Sequence, residues 1–245
     1  MNIGPETAEL CGIILGDGNL HKKYNRITIT GSSDDLLYFL QHVIPLFQSC
    51  FPVVHPRIVE LKGKKAFNLE IENVDIFNFF TDQYGLQRGP KDNAHIPEII
   101  KTNKGLIPHF LRGLFDTDGC LKFAKQQKEF AHYPRLVFGF VDSPMAYELR
   151  KVLEYAGFIA KENVHQNNGF SKKKIIRQTI YGTQALEQWM TEIAPANSVQ
   201  LAKYNYWKKF KQHEPFMSFT DRLKYIGLPG FEPGSGGPKP PILDR

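Results

Sequence analysis

The stretch Leu10-Cys11-Gly12-Ile13-Ile14-Leu15-Gly16-Asp17-Gly18 and its counterpart Leu111-Arg112-Gly113-Leu114-Phe115-Asp116-Thr117-Asp118-Gly119 decide how this chain is read. Each is an apolar run interrupted by glycine and closed by Asp-Gly. Asp118 falls 101 residues after Asp17 (118 minus 17). A lone Asp-Gly is a common turn dipeptide and says little. Two in equivalent frames, at the spacing of a small domain, point to an internal repeat.

The segments that follow each copy repeat as well. Arg26–Thr30 and Arg135–Gly139 read as strands, each leading through a polar turn into an amphipathic helix, Asp35–Phe47 and Ser143–Ala156. Ala66–Glu72 and Ile175–Tyr181 then alternate as strands before the helices Val74–Tyr84 and Thr183–Ile193. An offset of 109 aligns Ile71 with Ile180 (180 minus 71) and Phe80 with Trp189. Roughly eight extra residues (109 minus 101) therefore sit in the second copy's first hairpin, around Lys122–Pro134. The simplest architecture is α+β: two pseudo-symmetric half-domains, each running helix, hairpin, helix, hairpin, helix. The boundaries expected are 1–100 and 101–212. A third segment, 213–245, rich in Gly and Pro from Gly227 to Pro241, is expected to be a disordered tail.

Gly12 and Gly16 are four apart and share one helix face, as do Gly113 and Thr117. Small residues at that spacing let two backbones approach closely, so the two motif helices are expected to pack together as a pseudo-twofold seam. Gly18 and Gly119 are placed as left-handed residues closing the helices, with Asp17 and Asp118 in the last turns. There a carboxylate faces the negative end of the helix dipole, at a cost of a few tenths to about 1 kcal/mol, and the two acids repel each other. A divalent cation would offset both effects. An oxygen donor set with few protein ligands suits Mg²⁺, with Mn²⁺ able to substitute.

Composition narrows the classes. The 245 residues are 42% hydrophobic and 23% charged, the balance of a folded globular protein. Thirty-one Lys and Arg against 25 Asp and Glu give a net charge of +6, which favours a polyanionic partner. Three cysteines, Cys11, Cys50 and Cys120, show neither a disulfide framework nor zinc spacing. With no signal peptide and no apolar run of membrane-spanning length, a cytoplasmic protein without a membrane partner is expected.

The two nine-residue motifs, with the strand and helix order between and after them, resemble the LAGLIDADG homing endonucleases over about Thr7 to Trp207. The resemblance implies a monomer whose motif helices form the domain interface and whose two four-stranded antiparallel sheets, one in each αββαββα half, form a saddle over double-stranded DNA. It implies that Asp17 and Asp118 hold the catalytic metal, helped by the backbone carbonyls of Gly16 and Thr117, and that Asp116 is structural. Lys91 and Lys203 look like the family's basic residues beside the metals. Where many members carry a glutamine after the second strand, this chain has Gly31-Ser32 and Val141-Asp142.

On this reading, strand residues lie along the major groove. The candidates in the first half are Asn19, His21, Lys23, Asn25, Arg26, Thr28, Thr30, Arg57, Lys62, Lys64, Lys65 and Asn68. In the second half they are Lys122, Lys125, Gln127, Lys128, Lys172, Lys173, Lys174, Arg177 and Gln178. Facing alternates along a strand, so only about half of these are expected to reach DNA. The activity implied is metal-dependent hydrolysis of both strands of a long, asymmetric target by a free-standing or intron-encoded enzyme. Two alternatives remain open: an RNA maturase binding intron RNA, and a DNA-binding regulator that does not cleave. An intein is not expected, since the chain neither begins with a splicing nucleophile nor ends in His-Asn.

Overall fold

From the N-terminus the backbone runs α1 (Pro5–Leu15), β1 (Gly18–Leu20), β2 (Arg26–Ser32), α2 (Leu36–Tyr38), α3 (Ile44–Cys50), β3 (Arg57–Glu60), β4 (Ala66–Glu72), α4 (Val74–Asn78) and α5 (Glu98–Thr102). The second half repeats the order with α6 (Ile107–Asp118), β5 (Gly119–Lys125), β6 (Ala131–Val141), α7 (Pro144–Tyr155), β7 (Ala160–Gln166), β8 (Lys174–Tyr181) and α8 (Thr183–Glu192). It then adds α9 (Ser198–Phe210) and α10 (Phe219–Ile226). This is a computed structural model that describes residues 2–125, 131–166 and 173–226. Among the described residues no helix is long and apolar enough to cross a membrane.

Each half folds its strands into one antiparallel sheet, in the order β1-β2-β4-β3 and then β5-β6-β8-β7. Alternation sets the faces. Ile27, Ile29, Leu69 and Ile71 point into the core of the first half, and Leu121, Leu136, Phe138, Ile176 and Ile180 into that of the second. The matching register Arg26↔Glu72 and Arg135↔Tyr181 repeats the pairing of the two inner strands. The extra residues of the second copy lengthen β5 and β6 relative to β1 and β2. Phe80 and Trp189, equivalent by the sequence offset, are both fully buried in one continuous core. Between α2 and α3 the helix passes through a π turn, Phe39–Val43, just before Pro45, whose ring nitrogen has no hydrogen to continue the ladder.

The halves meet through α1 and α6. A Cβ on Gly12 would stand 2.2 Å from the carbonyl oxygen of Phe110, one on Gly113 would stand 2.1 Å from that of Glu9, and one on Gly16 would stand 1.9 Å from Thr117 Oγ1. The small-residue stripe read from the sequence is thus a backbone-to-backbone contact at Gly12 and Gly113 and a backbone-to-side-chain contact at Gly16. Behind it, Arg112 Nη1 donates to Glu9 Oε2 at 3.2 Å and His42 Nε2 lies 2.5 Å from Glu9 Oε1, clamping α6, α1 and the π turn together.

Two expectations need correction. Gly18 and Gly119 are not left-handed: both open strands, and Gly119 has φ −79° and ψ 156°. Glycine is needed there because the chain doubles back on its own helix. An added Cβ would lie 2.5 Å from Ile14 Cα in one case and 2.6 Å from Phe115 Cα in the other. As a result Asp17 lies just beyond α1, after the cap residue Gly16, while Asp118 is the last residue of α6.

The expected disordered tail also begins too early, because 213–226 is ordered through α10. Phe219 and Leu223 pack on Ala202 of α9, and the buried Arg222 donates to the Glu214 carbonyl at 3.0 Å. Phe219, Arg222, Leu223 and Ile226 recur at helical spacing, and the Gly/Pro tract starts only after them. The remainder, 227–245, lies outside the described residues.

Gly12→Ala places a methyl group against a backbone carbonyl that cannot step aside. It is expected to destabilise the chain by about 3 kcal/mol or more, read as a fall in the urea midpoint, whereas Gly63→Ala, in open space, is expected to cost about 1 kcal/mol through its positive φ alone.

Candidate active site and nucleic-acid interface

The close seam brings the ends of both motifs to one place. The Asp17 side chain reaches solvent but sits among α1, α6 and Lys91; burial, and then the charge of Asp118, pushes its carboxyl up to about 7. Burial also raises the Asp118 carboxyl, while Lys91 pulls it back. Lys91 donates from Nζ to the Leu15 carbonyl at 2.8 Å and to the Gly16 carbonyl. Its ammonium is lowered by burial and held up by Asp118 and Asp17. One cation from the segment after the first half's second hairpin thus serves both acids. Thr117 Oγ1 donates back to the Gly113 carbonyl at 2.9 Å, so its hydroxyl is committed to α6.

An open cavity of 420 Å³ lies over this point, lined by Asp118, Lys91, Asn19, Gly139 and Val141, with Leu15 and Gly18 flanking Asp17. Asn19 belongs to the open face of the first sheet and Gly139 and Val141 to that of the second. Both open faces therefore border the acids.

Lys203 does not join them. Its Nζ approaches Cys120 Sγ at 3.9 Å, two positions past Asp118. The residue 109 after Lys91 is Gln200 (200 minus 91), and it is Gln200 that reaches the second motif's end, accepting from Leu121 N at 3.0 Å and donating to the Gly119 carbonyl at 3.3 Å. Asn197 fixes that helix by capping α9 through Val199 N and donates across to Asp35 Oδ1 and the Asp116 carbonyl. Asp35, whose charge also raises Asp17, was not picked out from sequence. Asn197 carried a cap signature, Asn-Ser before a helical run, but nothing local announced its cross-domain bonds.

The strands place the proposed DNA contacts unequally. Asn19, Arg26, Thr28, Thr30, Arg57 and Asn68 share the open face of the first sheet, with Thr28 only 9% exposed. His21, Lys23 and Asn25 lie on the β1–β2 turn, and Lys62, Lys64 and Lys65 on the exposed β3–β4 tip. On the second sheet Lys122 and Arg177 are on the open face, Lys125 ends β5, and Lys174 is exposed at the start of β8. Lys173 pairs with Asp92 at 2.5 Å beside the cavity. Gln178 is a correction. Adjacent to Arg177, it must face the other way, and it is fully buried, donating to the Ala146 carbonyl at 3.2 Å and Glu162 at 2.8 Å. Gln127, Lys128 and Lys172 lie outside the described residues. Strand parity with Arg177 would have found Thr179 and Tyr181; Arg135, Lys161 and Asn163 are brought to the same face only by pairing.

Residues 107–194 match the family described as LAGLIDADG-like domain. A 129-residue stretch, 49% of the chain, is 33% identical to the Replication factor C small subunit of Methanocaldococcus jannaschii, and spans 7% of that protein's length. Among solved structures, I-DmoI in complex with DNA and Mn aligns with a TM-score of 0.50 at 20% identity, over 78% of this chain and 97% of that one. The N-terminal LAGLIDADG domain of DUF199/WhiA aligns with a TM-score of 0.50 at 15% identity, over 77% and 80%. At such identities the likeness is one of fold.

Asp116 tests the seam independently of any ligand. It is 2% exposed, accepts from Ala196 N at 2.7 Å through Oδ2, and burial pushes it up to about 7. A raised acid gives stability that is full below about 3.8 and is lost as pH rises through about 7. Urea unfolding at pH 5 and pH 8 is therefore expected to show wild type losing stability relative to Asp116→Asn as the pH rises; a parallel pair of curves would contradict the buried proton.

Proposed function

From the premise that this chain carries a LAGLIDADG-like domain on the two-sheet fold of the LAGLIDADG homing endonucleases, we propose that it is a monomeric, divalent-metal-dependent endonuclease that cuts both strands of a long, asymmetric double-stranded DNA target. One observation carries this reading: Asp17 and Asp118, from different halves, converge with Lys91 beside a cavity that opens between two sheet faces.

The donor set fits a hard cation. Among the described residues no group of three or more His, Cys, Asp or Glu side chains could hold a metal. What the site offers is two carboxylates and nearby backbone carbonyls, a partial oxygen shell of the kind Mg²⁺ completes with water and phosphate. Asp17 and Asp118 would hold it, with the Thr117 carbonyl, and with the Gly16 carbonyl once Lys91 releases it. When bound, the cation supplies positive charge against the oxygens of the scissile phosphate. The chain's own residues do the rest. Asp17 and Asp118, brought together from the two halves, would hold that charge where the two sheet faces meet. Lys91, buried among oxygens, presents an ammonium placed to steady negative charge on phosphate. Because the other half offers Gln200 in place of a second lysine, the two strands meet unequal surroundings.

Asp17→Asn and Asp118→Asn are each expected to lower double-strand cleavage more than about 10³-fold while leaving duplex binding measurable. The assay incubates purified chain and Mg²⁺ with a plasmid library of random inserts and maps breaks on both strands. Full cleavage by either variant removes the assignment, and sequence-specific retention without any break by wild type identifies a non-cleaving binder.

Because burial and the Asp118 charge push the Asp17 carboxyl up to about 7, cation binding is expected to expel its proton. Mg²⁺ affinity is expected to rise up to about tenfold per pH unit below 7 and then level off. Calorimetry in two buffers of different ionisation enthalpy reads the proton released, which Asp17→Asn is expected to reduce.

A further inference from the structure

The open faces of the two sheets carry different charge balances. On the first, Arg26 pairs with Glu72 at 2.5 Å and with Glu70 at 3.6 Å, while Arg57 pairs with Glu70 at 2.9 Å and with Glu72 at 3.8 Å. The four side chains stand on three adjacent strands, Arg26 opposite Glu72 and Arg57 opposite Glu70, so they form a neutral lattice. On the second sheet the corresponding face presents Lys122, Arg135, Lys161 and Arg177, and among the described residues none of these four has a carboxylate within ion-pair distance. Arg135 and Lys161 lie over the Tyr181 ring at 5.2 and 5.8 Å, and Arg177 approaches His165 at 3.5 Å. Lys122, Arg135, Arg177 and Tyr181 line a 370 Å³ groove there.

These two surfaces suit different parts of a duplex. Phosphates take cations that have no other anion, and each contact adds to the salt dependence of binding. Guanidinium groups already held by carboxylates bring little net charge, and those carboxylates repel phosphate. The same lattice presents fixed donors and acceptors to base edges, where arginine donates to guanine O6 and N7 and a glutamate accepts from the cytosine amino group. Glu70, 12% exposed, is the strut holding both arginines, and Glu72, 54% exposed, is the more open of the two acids and keeps lone pairs toward solvent beside its ion pairs.

We propose, resting on the DNA-binding reading above, that the two sheets divide recognition. The second sheet grips the phosphates of its half-site with little base discrimination. The Arg26–Glu70–Arg57–Glu72 lattice of the first selects G·C pairs in the major groove of the other.

The test is enrichment of wild type and variants from a pool of random-sequence duplexes, with Ca²⁺ in place of Mg²⁺, followed by binding of the enriched duplex at several salt concentrations. Wild type is expected to enrich G·C pairs at fixed positions of one half-site. Glu72→Gln and Glu70→Gln, close in size to the native side chains, are expected to weaken that preference about tenfold there, to leave the other half-site unchanged, and to tighten binding to unselected duplex. Glu72→Ala is a second variant, at the more exposed position, 54% open to solvent, and is expected to weaken the same preference. Lys122→Ala and Arg177→Ala are expected to weaken all duplexes alike, each lowering the slope of log affinity against log salt by about 0.9. An unchanged consensus in the glutamate variants, or a position-specific change in Lys122→Ala or Arg177→Ala, overturns the division of labour. Failure of wild type to retain any duplex overturns the DNA-binding reading itself and is distinguishable from both.

Discussion

Gly12 and Gly113 each rest on the backbone of the opposite helix, closer than any side chain would allow, and the remaining architecture is arranged around that contact. Two helices packed backbone against backbone at these glycines have little freedom to slide, so their ends are held in register. The sheets that follow directly from those ends, β1 from α1 and β5 from α6, inherit their placement. The Glu9–Arg112 and Glu9–His42 bonds then lock the seam from behind with groups drawn from both halves.

The same closeness creates an electrostatic problem that the fold only partly relieves. Two carboxylates are brought to one point in crowded surroundings, and Lys91 offsets them. Lys91 satisfies the carbonyls exposed where α1 ends and at the same time supplies the positive charge the acids require. A site that holds raised acids and a buried ammonium side by side is one a divalent cation would stabilise, which is how perturbed ionisation and function come to coincide.

Pseudo-symmetry governs the scaffold and stops at the surface. Sheet order, register and core positions repeat, down to Phe80 and Trp189 in equivalent buried places. The exposed positions do not: Lys91 is answered by Gln200, and the neutral lattice of the first open face by cations on the second that have no ion pair among the described residues. Core positions are constrained by packing, which is the same problem in both halves. Open-face positions are constrained only by what they touch, and the proposed asymmetric target would touch them differently.

The chain by itself determined the repeat, the strand and helix order and the glycine stripe, because periodicity and small-residue spacing are local properties that survive without knowledge of what packs where. It also determined that Asp17 and Asp118 are equivalent. Tertiary structure decided what depends on distance through space. It decided that Gly18 and Gly119 serve a close turn and not a left-handed cap, that Phe219–Ile226 has a partner in α9, and that Gln178 points inward while Arg135 shares a face with Arg177. It also decided that Lys91 reaches the acids and Lys203 does not, because a side chain's neighbours across a sheet or a helix seam are set by strand register and helix rotation, which no single segment of sequence contains.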